Sequence, residues 1–471
     1  MVSGRGLTDL DLVEAAVAIE SGALDPVELT EAYLARIEAT EPELNAYVTV
    51  DADGARQAAA SARDEIAGGR YRGPLHGIPV GIKDIFDTAG LRTTYGSIRY
   101  AGNVPTSDAV VVARVRSAGA VILGKQATHE FAWGGRTDNP HFGPTHNPRD
   151  LTRIPGGSSG GGAASIVARS CLIAIGSDTA GSVRIPAALC GCVGLKPVYG
   201  WIDMAGAFPL EPGLDHVGVL ARTVDDAALA VGVLGGPVVA GRRGPVPEGG
   251  RLRVGVLTGG SQDLLDDAVR SGLGRALAAL AEAGAELVDV PLDGVDERAI
   301  AILTRIKATA ESVHRSDFRD HPGSYGPDLA ELLFGPAVTD RQRDDALAAV
   351  DRAVADLGAA AGDLDVLLSA TVPITAPPIG AMTVPIDGES RPIEPVLTRL
   401  TSIANAAGWP AISVPAPTAP PGGTPTDLPV GIQLLCAPGD VGALLRAANS
   451  VMGGSRAVHG YPNSSRRTTL T

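Results

Sequence analysis

The segment CLIAIGSDTAGSVRIPAALCG, residues 171–191, carries the arrangement best suited to covalent chemistry. It opens as an apolar run typical of a buried strand, and small residues from Ser177 to Ser182 then lead toward a helical stretch. Small side chains at a helix N-terminus leave consecutive main-chain N–H groups exposed, and such groups can hold an oxyanion. Ser182 stands at the head of this turn, so its hydroxyl is the candidate nucleophile.

A serine hydroxyl needs a base to become a nucleophile, and Lys83 is one candidate. It ends the segment GIPVGIKD, residues 77–84, in which apolar residues alternate as they do in a strand. Burial at the end of such a strand would lower the pKa of the lysine and supply a neutral amine. The alternative interpretation of Lys83 is a structural salt bridge with Asp84 or another acid.

Histidine is the usual base for a serine nucleophile, so His76 and His129 are also candidates. Neither lies in a pattern that would bring it to Ser182, and we expect both to be structural or surface histidines. A Ser–His–Asp hydrolase therefore stays open as an alternative.

The stretch RIPGGSSGGG, residues 153–162, places Ser158 and Ser159 among five glycines. It contains G-x-S-x-G, but a nucleophile elbow requires a strand running directly into the turn, and polar, proline-broken sequence precedes it here. It lacks the G-K-[ST] and G-x-G-x-x-G patterns of phosphate loops. By itself the stretch predicts a tight loop in front of a helix over residues 163–169.

The rest of the chain supplies the elements that would position these residues. Short apolar runs, typical of strands buried on both faces, alternate with helical stretches such as 264–284. This alternation predicts an α/β fold. The predicted strands cover residues 77–84, 120–125, 171–176, 251–257, 365–370, 410–415 and 429–435.

The first fifty residues predict two packed helices. In the first, Thr8 and Asp11 form a capping pattern. The apolar residues that recur there at helical spacing are Leu10, Val13 and Val17. In the second, Asp25 is the expected N-cap and Pro26 opens the first turn. Its apolar stripe consists of Leu29, Tyr33 and Ile37.

Composition limits the class of protein. The chain has 471 residues, of which 45% are hydrophobic and 4% aromatic, so it can bury a large core and is too apolar to be mostly disordered. Its 39 basic and 53 acidic residues give a net charge of −14. This charge argues against nucleic acid or an anionic membrane surface as the main partner.

The sequence predicts neither export nor membrane insertion. The N-terminus has early acidic residues and no apolar h-region, so we expect no signal peptide. The longest apolar stretch, around 227–240, is interrupted by glycine and proline. The cysteines are too few for a disulfide framework, and buried thiols in a reducing cytoplasm are expected. They are Cys171, Cys190, Cys192 and Cys436, of which the C-x-C pair has no second ligand cluster nearby.

Taken together, several of these segments resemble the amidase signature family. The three that carry the resemblance are HGIPVGIKD with Lys83, PGGSSGGGAA with Ser158, and GSDTAGSVRIPAALCGCVGLKP with Ser182. Similarity extends to SGALDPVELTEAYLARIEATEPELNAYV, GRTDNPHFGPTHNP, GLDHVGVLARTVDDAA, ANAAGWPAISVPAP and LPVGIQLLCAPGD. It covers nearly the whole chain, and residues 240–400 are the least similar part.

The resemblance implies a Ser–Ser–Lys triad and the fold of that family, a large mixed, twisted β-sheet core covered by helices on both faces. Ser182 would accept the acyl group, and Lys83 would be the ultimate base and acid. Ser158, joined to Gly157 by a cis peptide bond, would relay the proton between them. The implied oxyanion-hole N–H groups are those of Thr179, Ala180, Gly181 and Ser182. The residues implied to hold the two loops in place are Ser159, Asp178 and Arg184.

The chain departs from the family pattern in two places. Ala180 stands where relatives commonly have the first of two glycines before the nucleophile. Alanine disfavours a positive φ but keeps its N–H group, so we expect the oxyanion hole to survive. The glycine loop also ends in three glycines where a serine often follows, and one local hydrogen bond is expected to be missing.

The resemblance leaves the substrate open. EFAWGGRTDN, residues 130–139, matches the segment that lines the acyl side in relatives, which makes Trp133, Gly134 and Gly135 candidate substrate-binding residues. Core packing is an equal interpretation for Trp133. The region 300–340, with Tyr325, is where relatives vary most and is expected to shape the leaving-group side. An amide, anilide, carbamate or ester remains possible, and no metal or cofactor is implied.

The main hypothesis is therefore a cytoplasmic amidase acting on a small molecule, with a homodimer as one possible assembly. The chief alternative is the glutaminase component of a tRNA-dependent amidotransferase, although residues 200–218 look more like the stand-alone amidases. A catalytically inactive binding protein is disfavoured because all three triad residues are present. We expect one amidase domain over 1–471. Its expected parts are a helical layer (1–65), the signature core (66–235), a substrate-shaping region (236–400) and C-terminal strands with a tail (401–471).

Overall fold

The computed structural model describes residues 6–235, 251–418, 428–439 and 441–453. The loops predicted over 235–250 and 415–427 lie largely outside these residues, as does the tail predicted to fray over 452–471. The described part contains fifteen strands and fourteen α-helices.

Eleven of the strands form one sheet, and the other four form two short hairpins. In chain order the strands are β1 (Tyr47–Val50), β2 (Pro79–Lys83), β3 (Val121–Gln126), β4 (Asp138–Asn139), β5 (Gly143–Pro144), β6 (Ile173–Asp178), β7 (Val193–Lys196), β8 (His216–Ala221), β9 (Arg253–Thr258), β10 (Glu286–Pro291), β11 (Val366–Ala370), β12 (Thr383–Ile386), β13 (Glu389–Pro392), β14 (Ala411–Pro415) and β15 (Gly431–Leu435). All seven predicted strands are present. The large sheet also contains four strands that were not predicted: β1, β7, β8 and β10.

The order of strands across the large sheet is β1-β3-β2-β6-β8-β7-β14-β15-β11-β9-β10. Strand β2 is parallel to β3 and β6, and β9 is parallel to β10 and β11. The remaining neighbours are antiparallel. The predicted α/β fold with a large mixed sheet is confirmed.

Most of the central strands are buried along their whole length. Every residue is buried in β2, β3, β6, β7, β8, β11 and β15. Because successive side chains on a strand point to opposite faces, such strands are covered on both faces. A polar residue at the end of one of these strands is therefore surrounded by protein.

The helices cover this sheet. In chain order they are α1 (Leu12–Glu20), α2 (Pro26–Leu44), α3 (Ala52–Ala67), α4 (Val110–Ser117), α5 (Gly160–Val167), α6 (Arg184–Cys190), α7 (Val224–Gly235), α8 (Asp267–Glu282), α9 (Val295–Asp320), α10 (Pro327–Phe334), α11 (Asp340–Ala361), α12 (Ile393–Thr398), α13 (Ser402–Ala406) and α14 (Val441–Val451). The helix predicted over 264–284 is α8. The helix predicted over 163–169 is α5, which begins earlier, inside the glycine loop.

The second predicted N-terminal helix is confirmed. Asp25 caps α2 by accepting a hydrogen bond from the Val27 N–H group at 2.8 Å. Its predicted apolar stripe of Leu29, Tyr33 and Ile37 is buried.

The first predicted helix has a different start. Asp11, not Thr8, is the N-cap of α1, and its carboxylate accepts from the Glu14 N–H group at 2.7 Å. Val13 and Val17 face solvent and are 40% and 61% exposed, because α1 packs through its other face. The predicted stripe through these two valines is wrong. The buried face consists of Leu12, Ala15, Ala16 and Ile19.

All four predicted parts of the chain contribute strands to the same sheet. Strand β1 comes from the first part, and β2, β3 and β6 to β8 come from the second. Strands β9 to β11 come from the third part, and β14 and β15 from the fourth. The division into four parts stays a prediction.

Candidate active site

Lys83 and Asp178 end neighbouring strands of the sheet. Lys83 is the last residue of β2 and Asp178 is the last residue of β6, and the two strands are parallel. Because parallel strands end at the same edge of a sheet, the chain that leaves β6 emerges close to the end of β2. Ser182 lies in this turn, two residues before α6 begins at Arg184.

The Lys83 amine is buried among hydroxyl groups. Its Nζ atom lies 2.7 Å from Ser158 Oγ and 2.9 Å from Ser177 Oγ, and the residue is 1% exposed. Burial lowers the pKa of Lys83 to about 7, and the charges of Asp178 and Asp215 oppose this shift only in part. Part of the amine is therefore neutral at neutral pH, as a general base requires.

The alternative of a salt bridge between Lys83 and Asp84 is wrong. The Asp84 carboxylate accepts from the main chain and hydroxyl of Thr94 at 3.0 and 2.5 Å, and it lies 3.6 Å from Lys125 Nζ. Successive residues at the end of a strand point to opposite sides, so the two side chains diverge. Among the described residues, no carboxylate lies within 4.0 Å of Lys83 Nζ.

Ser177 was not among the predicted site residues, although its hydroxyl contacts Lys83. It is the second-last residue of β6, on the strand that pairs with β2. No motif marks it. The parallel pairing of β6 with β2 could have indicated Ser177 as a site residue, because it brings the last residues of the two strands to the same level.

The glycine loop is bonded to the Ser182 turn. The Ser159 N–H group donates to the Ser182 carbonyl oxygen at 3.0 Å, and the Ser159 hydroxyl donates to the Ser177 carbonyl oxygen at 3.2 Å. The Gly157–Ser158 peptide bond is cis. The structure therefore brings the loop with Ser158, the Lys83 amine and the Ser182 turn together at one site.

Close packing explains why this loop is rich in glycine. A Cβ atom on Gly161 would lie 2.4 Å from the Ala46 carbonyl oxygen and 2.5 Å from the Ala127 nitrogen. A Cβ atom on Gly160 would lie 2.4 Å from Thr137 Oγ1. The absence of side chains lets the loop lie directly against the neighbouring main chain.

The Ser182 turn is built around the Asp178 carboxylate, which accepts from the N–H groups of Gly181 at 2.9 Å and Val183 at 3.1 Å. Gly181 has a φ of +125°, and a Cβ atom there would lie 2.3 Å from Thr401 Oγ1. The turn therefore requires glycine at this position. Ala180 has no positive φ, and the predicted departure at this position is accommodated for that reason.

Three of the four predicted oxyanion-hole donors are available. In the described part of the chain, the N–H groups of Thr179, Ala180 and Ser182 donate to no protein acceptor. The N–H group of Gly181 already donates to Asp178. Unpaired main-chain donors next to a serine hydroxyl are suited to hold an oxyanion.

Arg184 and Asp178 form a fully buried ion pair behind the turn. Arg184 Nη2 lies 2.9 Å from Asp178 Oδ1, Arg184 Nε lies 3.1 Å from Asp178 Oδ2, and both side chains are 0% exposed. Burial alone would raise the pKa of Asp178, but the charge and hydrogen bonds of Arg184 lower it well below its usual range. Asp178 is thus a stable anion that orients the N–H groups of the turn.

Three residues from the C-terminal part complete this network and were not predicted. Thr401 Oγ1 donates to the Ala180 carbonyl oxygen at 2.5 Å, and Asn405 Nδ2 donates to Asp178 Oδ1 at 2.9 Å. Gln433 Oε1 accepts from Arg184 Nη1 at 2.5 Å. Asn405 and Gln433 lie in ANAAGWPAISVPAP and LPVGIQLLCAPGD. The similarity of these two segments to the amidase signature family could have indicated both residues as part of the site.

A mainly apolar pocket lies beside Ser182. The predicted substrate-binding residues Trp133, Gly134 and Gly135 line it together with Ser182. Its other walls are Ala132, Thr179, Ala180, Ile185, Leu210, Leu303, Ile306, Glu394 and Thr398. Glu394 is the one charged residue among them, and its carboxylate accepts from the Gly135 N–H group at 2.7 Å.

The region 300–340 contributes to this pocket through α9. Leu303 and Ile306 line the pocket, whereas Tyr325 packs against Phe131 and Phe318 in an aromatic cluster. The Tyr325 hydroxyl donates to an Asp317 carboxylate oxygen at 2.9 Å. Tyr325 therefore supports the region from behind and does not line the pocket.

The two candidate histidines bond to other residues. His76 Nε2 lies 3.3 Å from Glu65, and His129 Nε2 lies 3.2 Å from Asp328. In the described ranges no histidine is hydrogen-bonded to Ser182. The geometry favours Lys83 over a histidine as the base.

The other features of the described chain agree with a compact interior. The four cysteines are buried thiols, as expected. No described group of three or more His, Cys, Asp or Glu side chains is placed to hold a metal ion. None of the helices within the described ranges combines the length and the apolar character needed to span a bilayer.

Comparison with known proteins connects this site to a family. A family model described as Amidase matches residues 28–445. The chain is 37% identical to the A component of glutamyl-tRNA(Gln) amidotransferase from Acidothermus cellulolyticus, over 90% of each chain. It is 35% identical to AtzE, a 1-carboxybiuret hydrolase component from Pseudomonas sp. strain ADP, over 92% of this chain and 96% of that one.

Comparison with solved structures also connects the chain to amidases. A crystal structure described as an amidase superposes with a TM-score of 0.85 at 32% identity, over 94% of this chain and 99% of that one. The family match and this superposition both extend well beyond the residues around Ser182. The chain belongs to the amidase signature family and is an amide hydrolase.

Proposed function

We propose that the chain is a serine amidohydrolase that cleaves a carboxylic amide through an acyl-enzyme on Ser182. The observation that carries this proposal is the contact between the buried Lys83 amine and Ser158 Oγ at 2.7 Å. Ser158 lies in a loop whose next residue is bonded to the Ser182 main chain. A lysine with a pKa of about 7 has a neutral population that can accept a proton at neutral pH.

The mechanism transfers one proton along this route in each direction. Neutral Lys83 accepts the proton of Ser158, which accepts the proton of Ser182 as the Ser182 oxygen bonds to the amide carbon. The main-chain donors of the turn stabilise the oxyanion, and one such donor commonly contributes about 3–4 kcal/mol. The proton returns through Ser158 to the nitrogen as the C–N bond breaks. Water then attacks the acyl-enzyme and releases the acid.

The pocket favours an uncharged amide with an apolar substituent. Its walls next to Ser182 include Trp133, Leu303 and Ile306, and its carboxylate, Glu394, already accepts from Gly135 and Arg136. No lysine or arginine is among the described residues that line it. An anilide or alkyl amide suits these walls best, and a carbamate or ester has the same carbonyl geometry.

The second candidate is the glutaminase component of an amidotransferase, which the name of the relative from Acidothermus cellulolyticus supports. Free glutamine carries an α-ammonium and an α-carboxylate, and both need polar partners when they leave water. The apolar walls of the pocket supply few such partners, so we place the stand-alone amidase first. A cytoplasmic location and a homodimer stay predictions, and light scattering tests the dimer.

The deciding experiment measures amine or alcohol release from a short aliphatic amide, an anilide, glutamine, an aryl carbamate and a p-nitrophenyl ester. Wild type is compared with Ser182→Ala and with Ser450→Ala, a serine on α14 far along the chain from the site. We expect the anilide or alkyl amide to be cleaved by wild type and by Ser450→Ala, and not by Ser182→Ala.

Two outcomes contradict the proposal. Equal amide cleavage by wild type and Ser182→Ala would exclude an acyl-enzyme on Ser182. Cleavage of glutamine alone would favour the amidotransferase component, and co-purification with a second chain would support that result.

A further inference from the structure

A second buried carboxylate, that of Asp215, lies next to the Ser182 turn. Asp215 directly precedes β8, which is antiparallel to β6 with Asp178 opposite His216. The next residues along the two chains, Thr179 and Asp215, are therefore neighbours. The Thr179 hydroxyl donates to Asp215 Oδ1 at 2.6 Å, and the two residues are 2% and 5% exposed.

Asp215 is held by hydrogen bonds and not by a cation. In the described part of the chain, no lysine, arginine or histidine nitrogen lies within 4.0 Å of its carboxylate. The Leu210 N–H group donates to Oδ2 at 3.1 Å, and the Glu211 N–H group donates to both oxygens at 3.2 Å. Burial raises the pKa of Asp215, and these hydrogen bonds oppose that shift. A carboxylate buried without a cation is costly, and titratable groups shifted by burial are concentrated at functional sites.

The same carboxylate connects the turn to a wall of the substrate pocket. Leu210, whose N–H group it accepts, lines the pocket beside Ser182. The neighbouring Glu211 accepts from Arg305 Nη2 at 2.9 Å and from the Thr309 hydroxyl, both on α9. Helix α9 supplies two other residues of that wall. Asp215 therefore bonds to the turn with one contact and to the substrate wall with the others.

We propose that Asp215 is a positioning residue for amide hydrolysis, which fixes the Thr179 N–H group for the oxyanion and holds Leu210 in the substrate wall. This inference rests on the proposed role of the Ser182 turn as the oxyanion hole. The Thr179 N–H group donates to no acceptor in the described chain, so a hydrogen bond of its own does not fix its direction. The hydrogen bond of its side chain to Asp215 fixes the residue instead.

The carboxylate cannot be replaced by its amide without losing one of these contacts. Both oxygens of Asp215 accept hydrogen bonds, one from Thr179 and both from main-chain N–H groups. In asparagine one of the two positions becomes an NH₂ group, which has no lone pair to offer. Either the turn or the substrate wall then loses its acceptor.

Steady-state kinetics of Thr179→Val and Thr179→Ser test the contact with the turn. The substrate is the amide of the panel above that wild type cleaves fastest. Valine replaces the hydroxyl by a methyl group and keeps the main-chain N–H group, whereas serine keeps the hydroxyl. We expect kcat to fall about 10- to 100-fold in Thr179→Val, with KM within about twofold of wild type. Thr179→Ser is expected to restore kcat.

Asp215→Asn tests both contacts in the same assay. We expect kcat to fall at least as far as in Thr179→Val and KM to rise several-fold, because the substrate wall shifts as well. Asp345→Asn changes a 74% exposed carboxylate on α11 in the same way, and it is expected to keep both constants. Where Asp215→Asn fails to fold, the two Thr179 variants decide the result.

Ser182→Ala, run beside these variants, separates this inference from the proposed function. If Ser182→Ala is inactive and Thr179→Val keeps the wild-type kcat, the role of Asp215 is wrong and the acyl-enzyme proposal stands. If Ser182→Ala is active, both are wrong. An equal fall of kcat in Thr179→Val and Thr179→Ser would also overturn the inference, because the loss would not depend on the hydrogen bond to Asp215.

Discussion

The two sides of the Ser182 pocket are built differently. On the catalytic side, Lys83 is 1% exposed and Asp178 and Arg184 are 0% exposed, and their polar atoms bond to other buried groups. On the substrate side, Arg136 holds the wall through Asp328 and Glu394, whose side chains are 25% and 33% exposed. The first side is closed to water, whereas on the second side Arg136 is 4% exposed but its two carboxylate partners reach solvent.

This difference shows where the chain tolerates change. An uncompensated charge in a buried network costs several kcal/mol, so neither Asp178 nor Arg184 can be replaced alone without a large loss of stability. On the substrate side, water can hydrate a carboxylate that loses its partner, so each ion pair contributes less than the buried pair does. The chemistry therefore sits where substitution is costly, and the substrate wall sits where it is tolerated.

The largest expected effect concerns the base. Lys83→Met removes the proposed proton acceptor, and we expect kcat/KM for an amide to fall by at least about 10³-fold. In wild type, kcat/KM is expected to fall as the pH drops below about 7, because protonation of Lys83 removes the neutral amine. A pH–rate profile of both proteins checks this result. Lys307→Met on α9 serves as the control, and an unchanged rate in Lys83→Met would exclude the mechanism.

The same variant is expected to gain stability. Burial lowers the pKa of Lys83 from 10.5 to about 7, so the unfolded chain binds more protons than the folded chain between these values. Wild-type stability therefore falls as the pH is lowered from 10.5 to 7 and levels off below 7. Lys83→Met lacks this contribution. Urea unfolding at pH 7 and pH 9.5 measures the difference, and equal pH slopes would show that the amine is charged in the folded protein.

The next largest expected effect concerns the buried Arg184, with the exposed Arg341 as its control. Arg184→Met leaves Asp178 buried without its cation, and we expect it to destabilise the protein by about 3–5 kcal/mol and to abolish activity. Denaturant unfolding and the amide assay measure the two effects. Arg341→Met, which is exposed, is the matched control. A loss below 1 kcal/mol in Arg184→Met would show that water reaches Asp178.

The smallest expected effect is on the substrate side. Arg136→Met removes a buried guanidinium that pairs with Asp328 and Glu394, and because both carboxylates reach solvent and can be hydrated we expect a smaller loss than for Arg184→Met, about 2 kcal/mol. Glu394 also holds the Gly135 N–H group, so the KM for an anilide is expected to rise several-fold with little change in kcat. Steady-state kinetics separate the two constants. A destabilisation as large as that of Arg184→Met would remove the distinction between the two sides.

Secondary structure was predicted correctly where the pattern of apolar residues was clear. Strand β2 was predicted from its alternating apolar residues, and β3 and β6 were predicted from continuous apolar runs. Strand β10 was missed because its burial alternates and it carries charged residues. The valine stripe in α1 was wrong because a competing apolar face that contains Leu12 and Ile19 packs into the core, which leaves Val13 and Val17 exposed.

The residue pattern alone marked two candidates for chemistry, the lysine at a strand end and the serine at a helix start. The serine of the glycine loop became a candidate only through the resemblance to a family, which also supplied the proposed roles of all three, and these stay predictions until the variants are assayed. It did not supply the Lys83 contact with Ser177, which depends on the pairing of two strands.

Only the tertiary structure decided the electrostatics of the site. The pKa of Lys83 depends on burial by elements from the whole chain. Arg184 finds partners 217 to 249 positions away, at Thr401, Asn405 and Gln433. A local sequence pattern does not show which residues more than 200 positions apart will be in contact. Burial and long-range contact arise only when separate segments pack into one sheet, and those two quantities set the charge states of this site.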